Sequence, residues 1–245
     1  MPEHFFICGA QRSATTYLYR MLEQHPGIAM AKPMRPEPKY FIRPGATDDL
    51  GEYRATFFTG ADAEWLGEKS TSYIEHPQAA ERISRLLPGA MLFFMLRDPV
   101  ERAISNYRFS RAHGLEPLPL QEALDAEPAR VATGAASGLS VSPYAYASRG
   151  RYVDYLAPWF THFPRDRIHL LIAERVVGSR SGLGDIFARL GLDDVAALDG
   201  IDQAFNRSDA AGDVPEAVRE RLRAGFAASN GELQRRYGVD VGSWQ

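Results

Sequence analysis

The sequence predicts an α/β protein whose mostly parallel central sheet is flanked by helices on both faces. Three observations carry that prediction. Short apolar runs alternate along the chain with segments of helical period. The most continuous of these runs, "AMLFFML" (90–96), has the unbroken apolar character of a strand buried on both faces. Two runs end abruptly in distinctive loops, at Gly9 and at Arg97, and open parallel sheets bind ligands beyond the carboxyl ends of their strands.

The elements follow in order. His4 to Cys8 reads as a buried strand that turns at Gly9. From Thr15, Leu18, Met21 and Leu22 recur at helical spacing until His25-Pro26-Gly27 stops them. Residues 28–64, rich in Pro, Gly and aromatics, predict an ordered irregular segment with a helix near Leu50 to Phe58. A helix from Pro77 to Leu87 ends at Pro88-Gly89, and the strand "AMLFFML" follows. Asp98 as N-cap and Pro99 as first helical residue start a helix that runs to about His113. The stretch from Leu115 to Pro143 predicts one helix and a mobile loop, a place for a substrate lid. A helix from Arg151 to Phe163, the strand "IHLLIA" (168–173), a helix near Leu183 to Leu190 and a last helix from Pro215 to about Tyr237 complete the chain. No internal repeat or low-complexity tract divides it, so residues 1–245 are read as a single domain.

Composition narrows the function. The net charge of -3 gives no global basic field, so nucleic acid is not expected as a principal partner, although a local basic cleft is allowed. The single cysteine, Cys8, excludes an internal disulfide framework and fits a reducing compartment; the default address is cytoplasmic. The N-terminus "MPEHFFICGA" lacks the positive charge and the long apolar run of a secretory leader, and no apolar run is long enough to span a bilayer. His25, His76, His113 and His162 are scattered without metal-ligand spacing, so they are read as structural or surface residues. Oligomeric state leaves no mark in the sequence.

The loop "CGAQRSATTYLYRML" begins like a nucleotide-binding P-loop, G-x-x-x-x-G-K-[ST], yet Thr15 stands where the lysine belongs. Such a loop still offers backbone N–H groups of Gly9, Ala14 and their neighbours at a helix N-terminus. The hydroxyls of Ser13, Thr15 and Thr16 add donors, with Arg12 as the cation. That set suits one phosphate better than a triphosphate with its metal. Taken alone, the same pattern also describes a strand-to-helix turn that binds nothing. In "FFMLRDPVERAISNYRFSR", Arg97 closes a strand and Ser105 lies eight residues along the next helix, where both can meet a second anion; "RDP" alone is also an ordinary helix start. Two anion sites beside one parallel sheet describe a nucleotide with phosphate at both ends of its ribose.

Together these segments resemble the sulfotransferases that use 3'-phosphoadenosine 5'-phosphosulfate (PAPS), on the branch of the heparan sulfate N- and O-sulfotransferases and their short bacterial relatives. "GAQRSATTYLYRML" resembles that family's 5'-phosphosulfate loop, with Arg12 as its cation, and "LRDPVERAISNY" its 3'-phosphate motif, with Arg97 and Ser105 as binders. "EKSTSYI" (68–74) is similar to E-K-[ST]-x-x-Y-[FI], whose lysine, here Lys69, lines the active site. "RPEPKYF" (35–41) is similar to the stretch holding the catalytic glutamate, here Glu37. "RGRYVDYLAPWFTHFPRDRIHLLIAERV" resembles the segment that touches the cofactor, so Tyr152 joins the binders; Trp159, seven residues on, reads as core. The family's late basic loop has its counterpart in "FNRSDAAGD", where Arg207 or Asn206 would take part of that role.

The resemblance implies a P-loop-like sulfotransferase fold with PAPS as cofactor, adenosine 3',5'-bisphosphate (PAP) as product, and no metal. Sulfuryl transfer moves a neutral unit through a loose transition state, so side-chain and backbone donors can stand in for magnesium. Arg12 and Lys69 would stabilise charge on the departing phosphate. Glu37, set among Pro33, Pro36 and Pro38, would take the acceptor's proton, with Lys39 assisting. The acceptor implied is a carbohydrate or a small or glycosylated metabolite, sulfated on a hydroxyl or amine. Without the resemblance, Glu37 reads as an exposed loop residue and Glu68-Lys69 as a solvated strand end. Two other classes stay open: a P-loop nucleotide kinase, which Thr15 opposes, and a catalytically silent nucleotide-binding protein, which Glu37 and Lys69 oppose.

Overall fold

Parallel strands need long crossovers, and the helical segments between the apolar runs supply them. The computed structural model describes residues 2–45, 47–133, 140–203 and 214–244. It holds a five-stranded, all-parallel sheet of β1 (Glu3–Gly9), β2 (Ile28–Met30), β3 (Trp65–Lys69), β4 (Met91–Leu96) and β5 (Ile168–Ile172), ordered β2-β3-β1-β4-β5. The helices are α1 (Thr15–Leu22), α2 (Leu50–Phe57), α3 (Pro77–Leu86), α4 (Pro99–Ala112), α5 (Leu120–Ala132), α6 (Val153–His162), α7 (Ala173–Val176), α8 (Arg180–Arg189) and α9 (Glu216–Tyr237).

The chain folds as two compact units. One takes the described residues up to Leu96 and from Leu156 to Gln203, and holds the whole sheet. Side chains alternate across a strand, so β1 sends Phe5 and Ile7 to one face and Phe6 to the other. Phe5 and Ile7 join a core with Leu18 and Met21 of α1 and Ile186 and Phe187 of α8. Phe6 meets Phe41 edge-on with ring centres 5.4 Å apart, and Phe94 of β4 meets Trp159 of α6 at 5.2 Å, so that face is covered as well. The other unit, Arg97–Tyr155 with the described residues from Val214 on, is helical. Val100, Ala103 and Ile104 of α4, Ala123 and Leu124 of α5, and Val218, Leu222 and Phe226 of α9 form its core. Asp98 caps α4 by accepting from the Val100 N–H at 2.8 Å, as its place before Pro99 predicts.

The expected strands at 4–8, 90–96 and 168–173 and the main helices are present, with ends displaced by up to three residues. β2 and β3 are additions. β2 is three residues long inside the Pro-rich segment, and β3 reads "WLGEK", with a glycine and two charges where a buried strand is expected to be apolar. All five residues of β3 are buried, because Gly67 lets Phe5 and Met30 close over the strand and both charged side chains find polar partners. The aromatics Tyr40, Phe41, Tyr53, Phe57 and Phe58 are core. His25 is structural: its Nδ1 accepts from the Gly27 N–H at 2.9 Å and its Nε2 bonds the Asp193 carbonyl at 3.0 Å. Most of the loop expected within 115–143, residues 134–139, lies outside the described residues.

Two predictions test this packing. A methyl group at Gly67 collides with the Phe5 ring and Met30 Sδ. Gly67→Ala is therefore expected to cost roughly 1–3 kcal/mol of stability, read as a melting temperature lower by several degrees. Burial holds His4 and His169 down to about 4, with Arg54 and Arg189 adding to the effect. Both are neutral in the fold but take up protons near 6.5 when unfolded, so stability is full above that pH and falls as pH drops towards 4. The urea midpoint is expected to be lower at about pH 5 than at about pH 7, and His4→Gln with His169→Gln should reduce that difference.

Candidate functional site

The carboxyl ends of β3, β1 and β4 share one edge of the sheet, and the chain order reverses between β1 and β4. Crevices form at such an edge in doubly wound folds. The loop after β1 is built around close approach. Gly9 has φ of 151°, and a Cβ there would lie 2.7 Å from Ile74 Cγ2 and 3.0 Å from the Thr71 carbonyl. The Ala10 N–H donates to Met95 O at 2.8 Å, tying the turn to β4. Arg12 (φ 67°) and Ala14 (φ 58°) are left-handed and curl the backbone into α1. Between them Ser13 is fully buried, yet its hydroxyl has no partner among the described residues. Ala14 gives α1 no side-chain cap. An orphaned buried hydroxyl beside an uncapped helix N-terminus fits an anion, with half-buried Arg12 in the same loop and Thr15 and half-buried Thr16 opening α1.

The loop after β3 carries a second cluster. Lys69 ends β3 opposite Ile7 of β1. Its side chain is 3% exposed and pairs with Glu37 Oε1, a burial that only a close counter-charge makes tolerable. Glu37 also accepts from the Thr71 backbone N–H at 3.0 Å and from Thr71 Oγ1 at 3.0 and 3.1 Å. A deeper carboxylate supports this arrangement. Glu68 is wholly buried and accepts from Ser70 Oγ at 2.6 Å and Tyr53 OH at 2.7 Å, with Tyr73 as a third donor. Burial pushes its carboxyl up, and the hydroxyl donors pull it back. Burial and the Glu68 charge together push the Tyr53 and Tyr73 phenols well above their usual range. The same hydroxyls accept in turn. The Lys39 N–H donates to Ser70 Oγ at 2.9 Å and the Phe41 N–H to Tyr73 OH at 3.1 Å. Residues 39–41 are thus strung along the Glu68 network, two positions beyond Glu37.

In the helical unit, Arg97 and Tyr152 come together through the main chain. Tyr152 is buried, and its hydroxyl donates to Arg97 O at 2.8 Å and accepts from Arg97 N at 3.3 Å. Ser105 lies nearly buried on α4 beside Asn106, whose Oδ1 accepts from the buried guanidinium of Arg149 at 2.8 Å and of Arg102 at 3.3 Å. Arg207 and Asn206 lie outside the described residues. Sequence reasoning missed the supports: Thr71 beneath Glu37, the Ser70 and Tyr73 relay, and Asn106. The density of hydroxyls in "EKSTSYI" was the available signal. A cleft of about 430 Å³ adjoins the first loop, lined by Thr16, Arg20, Glu23, Gln24, Met34 and Arg35 among others.

No family model matches the chain. It is 28% identical over 176 residues to the mouse heparan sulfate glucosamine 3-O-sulfotransferase 3A1, covering 72% of this chain and 42% of that one. It is also 28% identical to the human bifunctional heparan sulfate N-deacetylase/N-sulfotransferase 2, covering 67% and 19%. The chain thus spans less than half the length of these relatives. A solved sulfotransferase from Alicyclobacillus acidocaldarius superposes with a TM-score of 0.80 at 25% identity, over 100% of this chain and 99% of that one. A mouse sulfotransferase solved with PAP shares the fold, with a TM-score of 0.59 at 15% identity over 98% and 87%. The chain is thus similar in sequence to heparan sulfate N- and O-sulfotransferases and has the P-loop-like fold of solved sulfotransferases.

Proposed function

We propose that the protein is a sulfotransferase that moves the sulfuryl group of PAPS onto a hydroxyl or amine of an acceptor, with Glu37 as general base. The observation that carries this reading is the Glu37–Lys69–Thr71 cluster at the end of β3, a partly exposed carboxylate against a buried ammonium at the carboxyl-end edge of the sheet.

Bound PAPS supplies the sulfuryl group and a 5'-phosphate on which charge grows as that group leaves. Arg12, the hydroxyls of Ser13, Thr15 and Thr16, and the main chain from Gly9 to Ala14 hold the 5' end. Arg97 and Ser105 hold the 3'-phosphate, Tyr152 keeps Arg97 in register, and Arg207 belongs to the same group. Lys69 neutralises the charge growing on the leaving phosphate. Glu37 receives the acceptor's proton, and Thr71 holds the carboxylate in place for it. No step asks for a divalent ion. We read the two units as one catalytic domain, supported by the bacterial sulfotransferase that aligns over the whole chain.

The names of the heparan sulfate relatives support a carbohydrate acceptor. The cleft beside Thr16 has room for a sugar-sized group, and it mixes Arg20 and Arg35 with Glu23 and Asp199, a lining suited to a polar acceptor of low net charge. A cytoplasmic setting suits the buried free thiol of Cys8.

Sulfur-labelled PAPS supplied with a panel of sugars and metabolites tests the reaction. Label in an acceptor is expected, while turnover with magnesium and ATP instead would overturn the reading. Glu37→Gln is expected to lower kcat about 10²- to 10⁴-fold with PAP affinity held within about twofold; an unchanged kcat removes Glu37 as the base. Arg97→Ala should weaken PAP binding about tenfold or more by calorimetry.

A further inference from the structure

We infer that Glu127 is a positioning residue, capping the 148–150 turn from which Tyr152 reaches the backbone of Arg97. The inference rests on the reading that Arg97 and Ser105 take the 3'-phosphate.

Glu127 lies in α5 and is 4% exposed. A carboxylate so buried has to be given donors. It accepts from the Ala147 N–H at 2.7 Å, the Ser148 N–H at 2.7 Å and Ser148 Oγ at 2.6 Å. These are the leading donors of the 3-10 turn Ser148–Gly150, so Glu127 acts as an N-cap supplied from a distant helix. The rest of the turn is clamped too. Arg149 reaches Asn106 Oδ1 and the Ser142 carbonyl at 2.7 Å. Gly150 sits where a Cβ would lie 2.7 Å from the Phe226 ring and 3.0 Å from Pro99, the residue that opens α4. Two residues on, Tyr152 closes the circuit on both main-chain groups of Arg97.

Glu127 takes up three donors at the leading end of this turn at once. α5 is anchored independently by Ala123 and Leu124 in the core, so altering Glu127 loosens residues 147–152 without removing the helix. The consequence is specific. Arg97 keeps its charge but loses its fixed main chain, and the contact weakened is the one to the 3'-phosphate.

The test compares two ligands by calorimetry on the whole chain: PAP, and adenosine 5'-monophosphate, which lacks the 3'-phosphate. Wild type should prefer PAP, and Arg97→Ala should abolish the preference. Glu127→Gln is expected to reduce the preference about threefold to tenfold while leaving affinity for the monophosphate unchanged. Tyr152→Phe, which removes only the hydroxyl, should do the same, and Glu127→Asp should lose less. If Glu127→Gln fails to fold, Glu127→Asp and Tyr152→Phe carry the comparison. An unchanged preference in these variants, or equal weakening of both ligands, overturns the inference. A wild type without any preference would instead overturn the 3'-phosphate site itself.

Discussion

The sheet edge is organised by a carboxylate that has no water to turn to. Glu68 points into the interior at the end of β3, and an unmatched charge there would cost more than the fold can spare. It is matched by hydroxyls drawn from three segments: Tyr53 in α2, Ser70 just past the strand, and Tyr73 beyond it. Each donor constrains more than Glu68. Ser70 and Tyr73 accept from the backbone of residues 39 and 41, and Tyr53 and Phe41 pack against one another and against Tyr40. A buried network satisfied in this way holds its members in one arrangement, because releasing any of them strands the others. The positions of Glu37 and Lys69 follow from that arrangement.

This explains how a strand carrying "GEK" sits inside a sheet. Gly67 supplies the space into which Phe5 and Met30 pack, Glu68 has its hydroxyls, and Lys69 has Glu37. Two adjacent charges of opposite sign are each given a partner from a different part of the chain. Glu68 is matched by neutral donors and serves the fold, whereas Lys69 is matched by a carboxylate that is itself 15% exposed. Of the two carboxylates, Glu37 keeps a path to solvent and Glu68 does not.

The helical unit solves a similar problem with reversed signs. Two guanidinium groups, Arg102 and Arg149, are buried and share the amide oxygen of Asn106, while Arg102 and Arg149 also reach the carbonyls of Tyr146 and Ser142. The segment 142–152 is therefore held to α4 through its main chain, which residue preferences do not reveal. In both units the candidate site residues stand on backbone fixed by buried polar side chains, which holds their donors in place.

The sequence by itself determined the α/β class, the three most apolar strands, the Asp98-Pro99 helix start, and the loops at Gly9 and Arg97. Each is written in local terms: unbroken apolar runs, a capping residue before proline, and a glycine where the chain must turn. Only the tertiary structure decided that "WLGEK" is a strand and that the aromatics near residues 40–58 are core. It alone put Glu37 against Lys69 and Thr71, and turned Tyr152 towards the backbone of Arg97. The Glu37 and Tyr152 contacts join partners 32 to 55 positions apart in the chain, and "WLGEK" pairs with β1 from 62 positions away. A buried charge is indistinguishable from a surface charge until the fold brings its donors to it.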